Sequence, residues 1–186
     1  MRSPKNVRHN GKKVSEIIEA HANFVRGRDG GVRADLTGAD LARVDFEKAE
    51  LALVNFQGAN LEGASLREAK LSNANLAETN LRGADLRKAD LTETDLRKAD
   101  LTKAQVGGAE MFRANLSGAI LRQADLGVAN LRDADVNGAD FSGASLKATI
   151  LRETKLDGAK LDGADLSTAL LPKGYPASKG QASGRA

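Results

Sequence analysis

Residues 84–101 read ADLRKADLTETDLRKADL and place a leucine at every fifth position: Leu86, Leu91, Leu96 and Leu101. A helix repeats near 3.6 residues and a strand at 2. On a helix, a step of five carries each leucine about 140° past a full turn, so the set sprays around every face. On a continuous strand, an odd step sends successive leucines to opposite faces. A chain that bends once per unit keeps them together, because each five-residue side presents its centre inward and then turns a corner.

Counted outward from this stretch, the step of five runs unbroken from Leu36 to Leu171, which is 28 units. The centre is Leu in 22 of them and Phe46, Phe56, Val106, Met111, Val136 or Phe141 in the rest. Two residues before each centre stands Ala in 22 units, with Val44, Val54, Thr79, Thr94, Thr149 and Thr154 as the exceptions. Repetition at a short fixed period is the mark of a solenoid, in which each coil is buried only by its neighbours. Leu86, Leu91, Leu96 and Leu101, with Phe46, Phe56 and Phe141, are therefore expected in its core. Charge gives the coil size. If four units make a turn, residues 20 apart stack at about 4.8 Å, and like charges so placed repel. The residue before the centre is acidic in 13 units, yet only Asp90 and Glu110 form an acidic pair four units apart, against five pairs at three units and four at five. Lys48, Glu68 and Lys88 alternate in sign at the same spacing, as do Glu93, Arg113 and Asp133. Twenty-eight units then make seven coils.

ADLTGADL, ANLEGASL, ADLRKADL and AKLDGADL resemble the A(D/N)LXX motif of the pentapeptide-repeat family, and the likeness covers residues 34–171. What the resemblance implies is an all-β chain folded as a right-handed quadrilateral parallel β-helix, a solenoid of about seven coils, with the centre and the residue two before it inward. Glycine stands two residues after the centre in 10 units, including Gly38, Gly58, Gly63 and Gly83, as expected for a corner that needs positive φ. Read as a phosphate cradle, GGVRADLTG lacks the strand-loop-helix context and the Lys-Ser/Thr pair such a loop needs.

A stack of coils exposes unpaired backbone at both ends. Val14, Ile17, Ile18, His21, Phe24 and Val25 fall at helical spacing, with Ser15 placed to cap and Gly27 to terminate, so a short capping α-helix over about 15–26 is expected on the first coil. His21 is then a packing residue, and the HANFVRGRDGGVRADL segment resembles a leader found ahead of many pentapeptide-repeat domains. The expected organisation is a flexible basic N-terminus over 1–13, the capping helix and Gly-rich linker over 14–33, the solenoid over 34–173, and a flexible tail over 174–186 rich in Pro, Gly, Ser and Ala. The last coil is closed either by Pro172 and Tyr175 or by a second copy of the chain, giving a homodimer through the C-terminal coil.

The net charge of +3 divides unevenly, +5 over residues 1–33, −4 over 34–173 and +2 over 174–186, so the basic balance belongs to the flanks. The four outward sides carry −2, 0, −1 and −1. With no cysteine, and with both histidines ahead of the repeats, the solenoid holds no triad, thiolate or histidine-metal arrangement. Asp90 and Glu110 could share a proton as stacked acids, but read more simply as solvated neighbours. No catalytic activity, cofactor or metal is expected. No apolar run is long enough to span a bilayer and no export signal is read, so the expected compartment is the cytoplasm.

What remains is surface. Phe112, Val128, Ile150 and Leu170 are outward apolar residues toward the C-terminal end, with Ile150 and Leu170 stacked at the spacing of 20, and they form the candidate surface for a partner or for self-association. The leading expectation is a non-enzymatic interaction module or rigid scaffold that displays its faces to a protein partner. The alternative follows from resemblance to bacterial quinolone-resistance pentapeptide proteins, which implies a DNA-mimic regulator or protector of a type II topoisomerase (DNA gyrase). A third reading takes the basic flanks as anchors for nucleic acid or a membrane surface.

Overall fold

The computed structural model describes residues 1–175. From Asp35 to Leu170 the backbone is organised by parallel pairings between residues 20 apart, such as Asp45 with Ser65, Ser65 with Asp85 and Asp85 with Gln105. In the regular part of the stack the centre donates its N–H to a carbonyl of the following coil, as Leu86 does to Gln105 at 2.7 Å, and the residue before it donates to a carbonyl of the preceding coil, as Asp85 does to Ala64 at 2.9 Å. One coil is therefore four units with four bends, the size set by the charge spacing. The core is a stack of inward side chains: Leu86, Leu91, Leu96 and Leu101 have 0 % exposure, and Phe46, Phe56 and Phe141 no more than 2 %. Where Thr replaces Ala in the second inward column its hydroxyl is satisfied within the wall, Thr94, Thr149 and Thr154 donating to the carbonyls of Leu71, Leu126 and Leu131 in the coil before.

Each bend closes with an N–H to carbonyl bond from the residue three after the centre, for example Ala84 to Leu81 at 3.0 Å. At most bends the third position has positive φ whether or not glycine stands there: nine glycines and sixteen other residues take φ between +55° and +68°, while Gly158, Thr168 and Lys173 do not. This is the geometry of a type II turn. The Asp or Asn before the centre prepares the turn. All seventeen of them accept, through the side-chain oxygen, a hydrogen bond from the N–H two residues on. These Asx turns are the local reason that the motif calls for Asp or Asn.

The N-terminal segment departs from the expectation of a flexible basic tail. Arg2 pairs in parallel with Val44 and accepts the N–H of Asp45 at 3.0 Å, standing in for a preceding coil on that side. A 3-10 turn follows over Pro4–Asn6, then β1 (Arg8–His9) and β2 (Lys12–Lys13) form an antiparallel hairpin. Its loop is Asn10–Gly11, with φ of 48° and 81°, the two-residue loop that favours a primed turn. Val7 and Val14 bury themselves at the ends of this segment, at 3 % and 0 % exposure. Helix α1 spans Val14–Val25, with Lys13 rather than Ser15 at its N-cap and the Glu16 carboxylate accepting the Lys13 N–H at 3.2 Å. It ends in a Schellman arrangement, Gly27 N–H to Phe24 and Arg28 N–H to Asn23. Ile17 and Ile18 pack on the core beneath, which makes α1 the lid on the first coil.

At the other end Tyr175 packs against the core and donates its N–H to Pro172 at 3.1 Å, so local cover of the last coil is present. The expected tail over 174–186 lies, from residue 176 on, outside the described residues.

Candidate interaction surface

The outward columns are held in place by bonds between coils. On one side Asn55 donates to Asp35 at 3.2 Å and Asn75 to Asn55 at 3.0 Å; on the next, Asn60 donates to Asp40 and Asn80 to Asn60, each at 3.1 Å. An amide suits the ladder because it accepts within its own turn and donates to the coil before. Where acids stand, cations meet them: Lys70 with Glu50 at 2.7 Å, Arg82 with Asp100 at 2.9 Å, Lys48 with Glu68 at 3.9 Å, and Arg113 between Glu93 at 3.9 Å and Asp133 at 3.0 Å. Glu110, stacked on Asp90, accepts from Asn130 at 2.8 Å.

These contacts hold several carboxyls below their ordinary range. At Asp85 and Asp95 the main cause is a two-pronged hydrogen bond from Arg87 and Arg97, in each case two residues on. Burial of Asp140 opposes its ionisation, but hydrogen bonds from Ser142 and Arg122 outweigh it and hold the pKa at about 2. About half of the acids over 34–173 meet a cation in this way.

Of the apolar candidates, Ile150 and Leu170 are paired directly, and Leu170 is 44 % exposed. Val128 sits at the adjoining corner, two residues before Asn130, which itself pairs with Ile150. At 65 % exposure and φ of +55° it is a β-branched residue held in the left-handed region, an unusual place for one. Phe112 differs from the other three. Its ring is half-buried, with the guanidinium groups of Arg113 and Arg132 each 4.8 Å from its centroid, so its faces are already used. The basic flank is engaged as well: Arg2 contacts Asp40 at 3.5 Å, and Arg33 donates to the Leu53 carbonyl at 2.6 Å.

On one side the ladder between coils is broken. Asp135 has no pairing with Lys155, and Gly138 donates to Gly158 rather than to residue 157. The slip opens a cleft of about 510 Å³ lined by Asp133, Asp135, Glu153, Lys155 and Asp157. Gly158 stands at the slip, where a Cβ would press on the Asn137 side-chain oxygen. Among the described residues, no group of three or more His, Cys, Asp or Glu is placed to hold a metal ion, and no helix is long and apolar enough to cross a membrane.

Short sides, corner turns and coils of four units define a solenoid of five-residue repeats. A family model described as pentapeptide repeats matches residues 32–67, 64–102, 109–147 and 129–167, in eight copies, and the chain belongs to that family. Among solved structures it is similar to a trypsin-treated, singly substituted form of QnrB1, a plasmid-mediated fluoroquinolone resistance protein, at 25 % identity over 76 % of this chain and 71 % of that one, with a TM-score of 0.68. HetL, a pentapeptide repeat protein involved in heterocyst differentiation regulation in the cyanobacterium Nostoc, is 28 % identical over 76 % of this chain and 78 % of its own, with a TM-score of 0.38. A pentapeptide repeat protein of the Arabidopsis thaliana thylakoid lumen is 35 % identical over 59 % of this chain and 62 % of its own, with a TM-score of 0.39. The search of curated proteins returned no match.

Proposed function

We propose that the chain is a right-handed four-sided parallel β-helix acting as a non-enzymatic interaction module that presents its outward columns to a protein partner. The observation that carries this reading is the preorganised surface. Side chains tied coil to coil by amide ladders and ion pairs have already lost much of the freedom that binding would otherwise remove. Beside them, Val128, Ile150 and Leu170 offer an apolar strip that a protein surface can cover. The strip lies toward the C-terminal coil, so a second copy of the chain is one such partner.

The likeness to QnrB1 favours a second reading, a DNA-mimic regulator or protector of a type II topoisomerase. The small net charge of −4 over 34–173, with about half of its acids ion-paired, weighs against it, because imitation of DNA requires a dense unneutralised negative surface. The test is capture of partners from native lysate on the full chain at low and high salt, with proteins and nucleic acid both identified, repeated with Ile150→Asp. A single protein retained at high salt and lost with Ile150→Asp supports the module. A topoisomerase subunit released at high salt supports the second reading. Nucleic acid alone, or nothing at either salt, contradicts both.

A further inference from the structure

The polar contact between α1 and the solenoid is made by His21. The ring is 0 % exposed, and its Nδ1 accepts the backbone N–H of Ala34, at the start of the repeats, at 3.0 Å. To accept there Nδ1 must carry no proton, so the proton of the neutral ring sits on Nε2. Nε2 is buried without a hydrogen-bond partner; the Ala52 backbone lies close enough to favour a charged ring, against the larger effect of burial, but does not meet hydrogen-bond geometry.

Among the described residues, no surrounding element offers the ring a counter-charge. Helix α1 stacks Phe24 on it, with centroids 6.0 Å apart. The linker brings the Arg33 guanidinium, a like charge to imidazolium, and the first coil contributes the Ala34 N–H and the Ala52 backbone. The hairpin carries the other histidine, His9, whose charge acts on Asp35. A second proton on His21 would therefore meet burial, Arg33 and an N–H already pointing at Nδ1.

We propose that the N-terminal lid is a pH-gated cap: protonation of His21 breaks its contact with Ala34 and releases α1 from the first coil, uncovering that end of the stack. The solenoid keeps its own ladder from Asp35 to Leu170, so the event is local. Burial, the largest cause, sets the ring of the closed lid below its ordinary value of 6.5. The open lid then binds more protons than the closed one below that value. Closure is at full strength above about pH 6.5 and weakens by up to tenfold per pH unit as pH falls toward the closed-state pKa.

The test is an NMR titration of the full chain from about pH 7.5 to 4.5, following the His21 ring nitrogens and the amide protection factors of α1 and Ala34, corrected for intrinsic exchange. Protection of α1 and Ala34 is expected to fall in step with His21 protonation while the amides of Leu86 to Leu101 hold theirs. His21→Asn offers an acceptor near the Nδ1 position that does not titrate and is expected to flatten the dependence. His9→Asn is expected to leave it unchanged. Protection that is level with pH in the natural chain, or an equal fall in His21→Asn, overturns the proposal. Should His21→Asn leave the lid open at every pH, the natural chain decides: a ring that takes its proton with Ala34 still protected also overturns it.

Discussion

Gly83→Ala tests the corner geometry through the sign of its effect. Gly83 has φ of +62°, and a Cβ built on it meets nothing within 4 Å, so any loss reflects backbone conformation rather than a clash. A non-glycine residue in the left-handed region costs about 1–2 kcal/mol. Replacing glycine also removes freedom from the unfolded chain, which returns about 0.4–1 kcal/mol. The balance is a loss of about 1 kcal/mol, or about 2–4 °C in Tm for a chain of this size. Urea unfolding followed by circular dichroism reads it as a lower midpoint at unchanged slope. Were the corner to have negative φ, the strain would vanish and the same substitution would stabilise the protein by about 0.4–1 kcal/mol. A higher midpoint therefore refutes the turn assignment.

Asp140→Asn keeps an oxygen for the turn but removes the charge that Arg122 meets at 2.8 Å. An unfolded carboxyl near 3.8 and a folded one at about 2 mean that this contribution is complete above about pH 4 and lost as pH falls toward 2, on the order of 1–2 kcal/mol with Arg122 partly solvated; acid unfolding of the variant should be shallower across that window. Leu96→Ala, at a site with 0 % exposure, should lower stability by about 2–5 kcal/mol, read from the urea midpoint. Thr149→Val removes the hydroxyl that donates to Leu126 at 2.7 Å and should cost about 1 kcal/mol in the same assay. Gly158→Ala forces a Cβ into the space of Asn137 Oδ1, and its largest amide shifts should fall on residues 133–138 and 153–158.

The core was legible because burial repeats: the leucine step needs a bend in every unit, and the charge columns set four bends to a coil. The Asp and Asn column carried a second message that its charges obscured. Its electrostatic pattern gives the coil size, whereas its oxygen atoms make the turns, and Asn serves there as well as Asp. At the N-terminus, eight basic residues before position 34 invite a solvated tail, yet Asn10–Gly11 is a hairpin signal and Val7 and Val14 are the buried residues flanking it. The cover over Phe112 could have been read from the spacing, since Arg132 occupies the equivalent place one coil further on. The break at Lys155 could not. TKLDG fits the motif, Lys70 and Lys160 pair normally in the same kind of position, and nothing in the sequence explains why Lys155 does not.

The register between coils sets every column on the surface, and the absence of native cysteine makes that register directly measurable. Cysteines replacing Asp85 and Gln105, which are paired across adjacent coils, should close an intramolecular disulfide under mild oxidation, because paired parallel strands stand about 4.8 Å apart, within the roughly 4.4–6.8 Å between Cα atoms that a disulfide spans. Asp85 combined with Asp100 or with Glu110, three and five units away, should remain as free thiols by mass spectrometry. A disulfide at either of those spacings, with none between positions 85 and 105, would contradict the coil and every surface column derived from it.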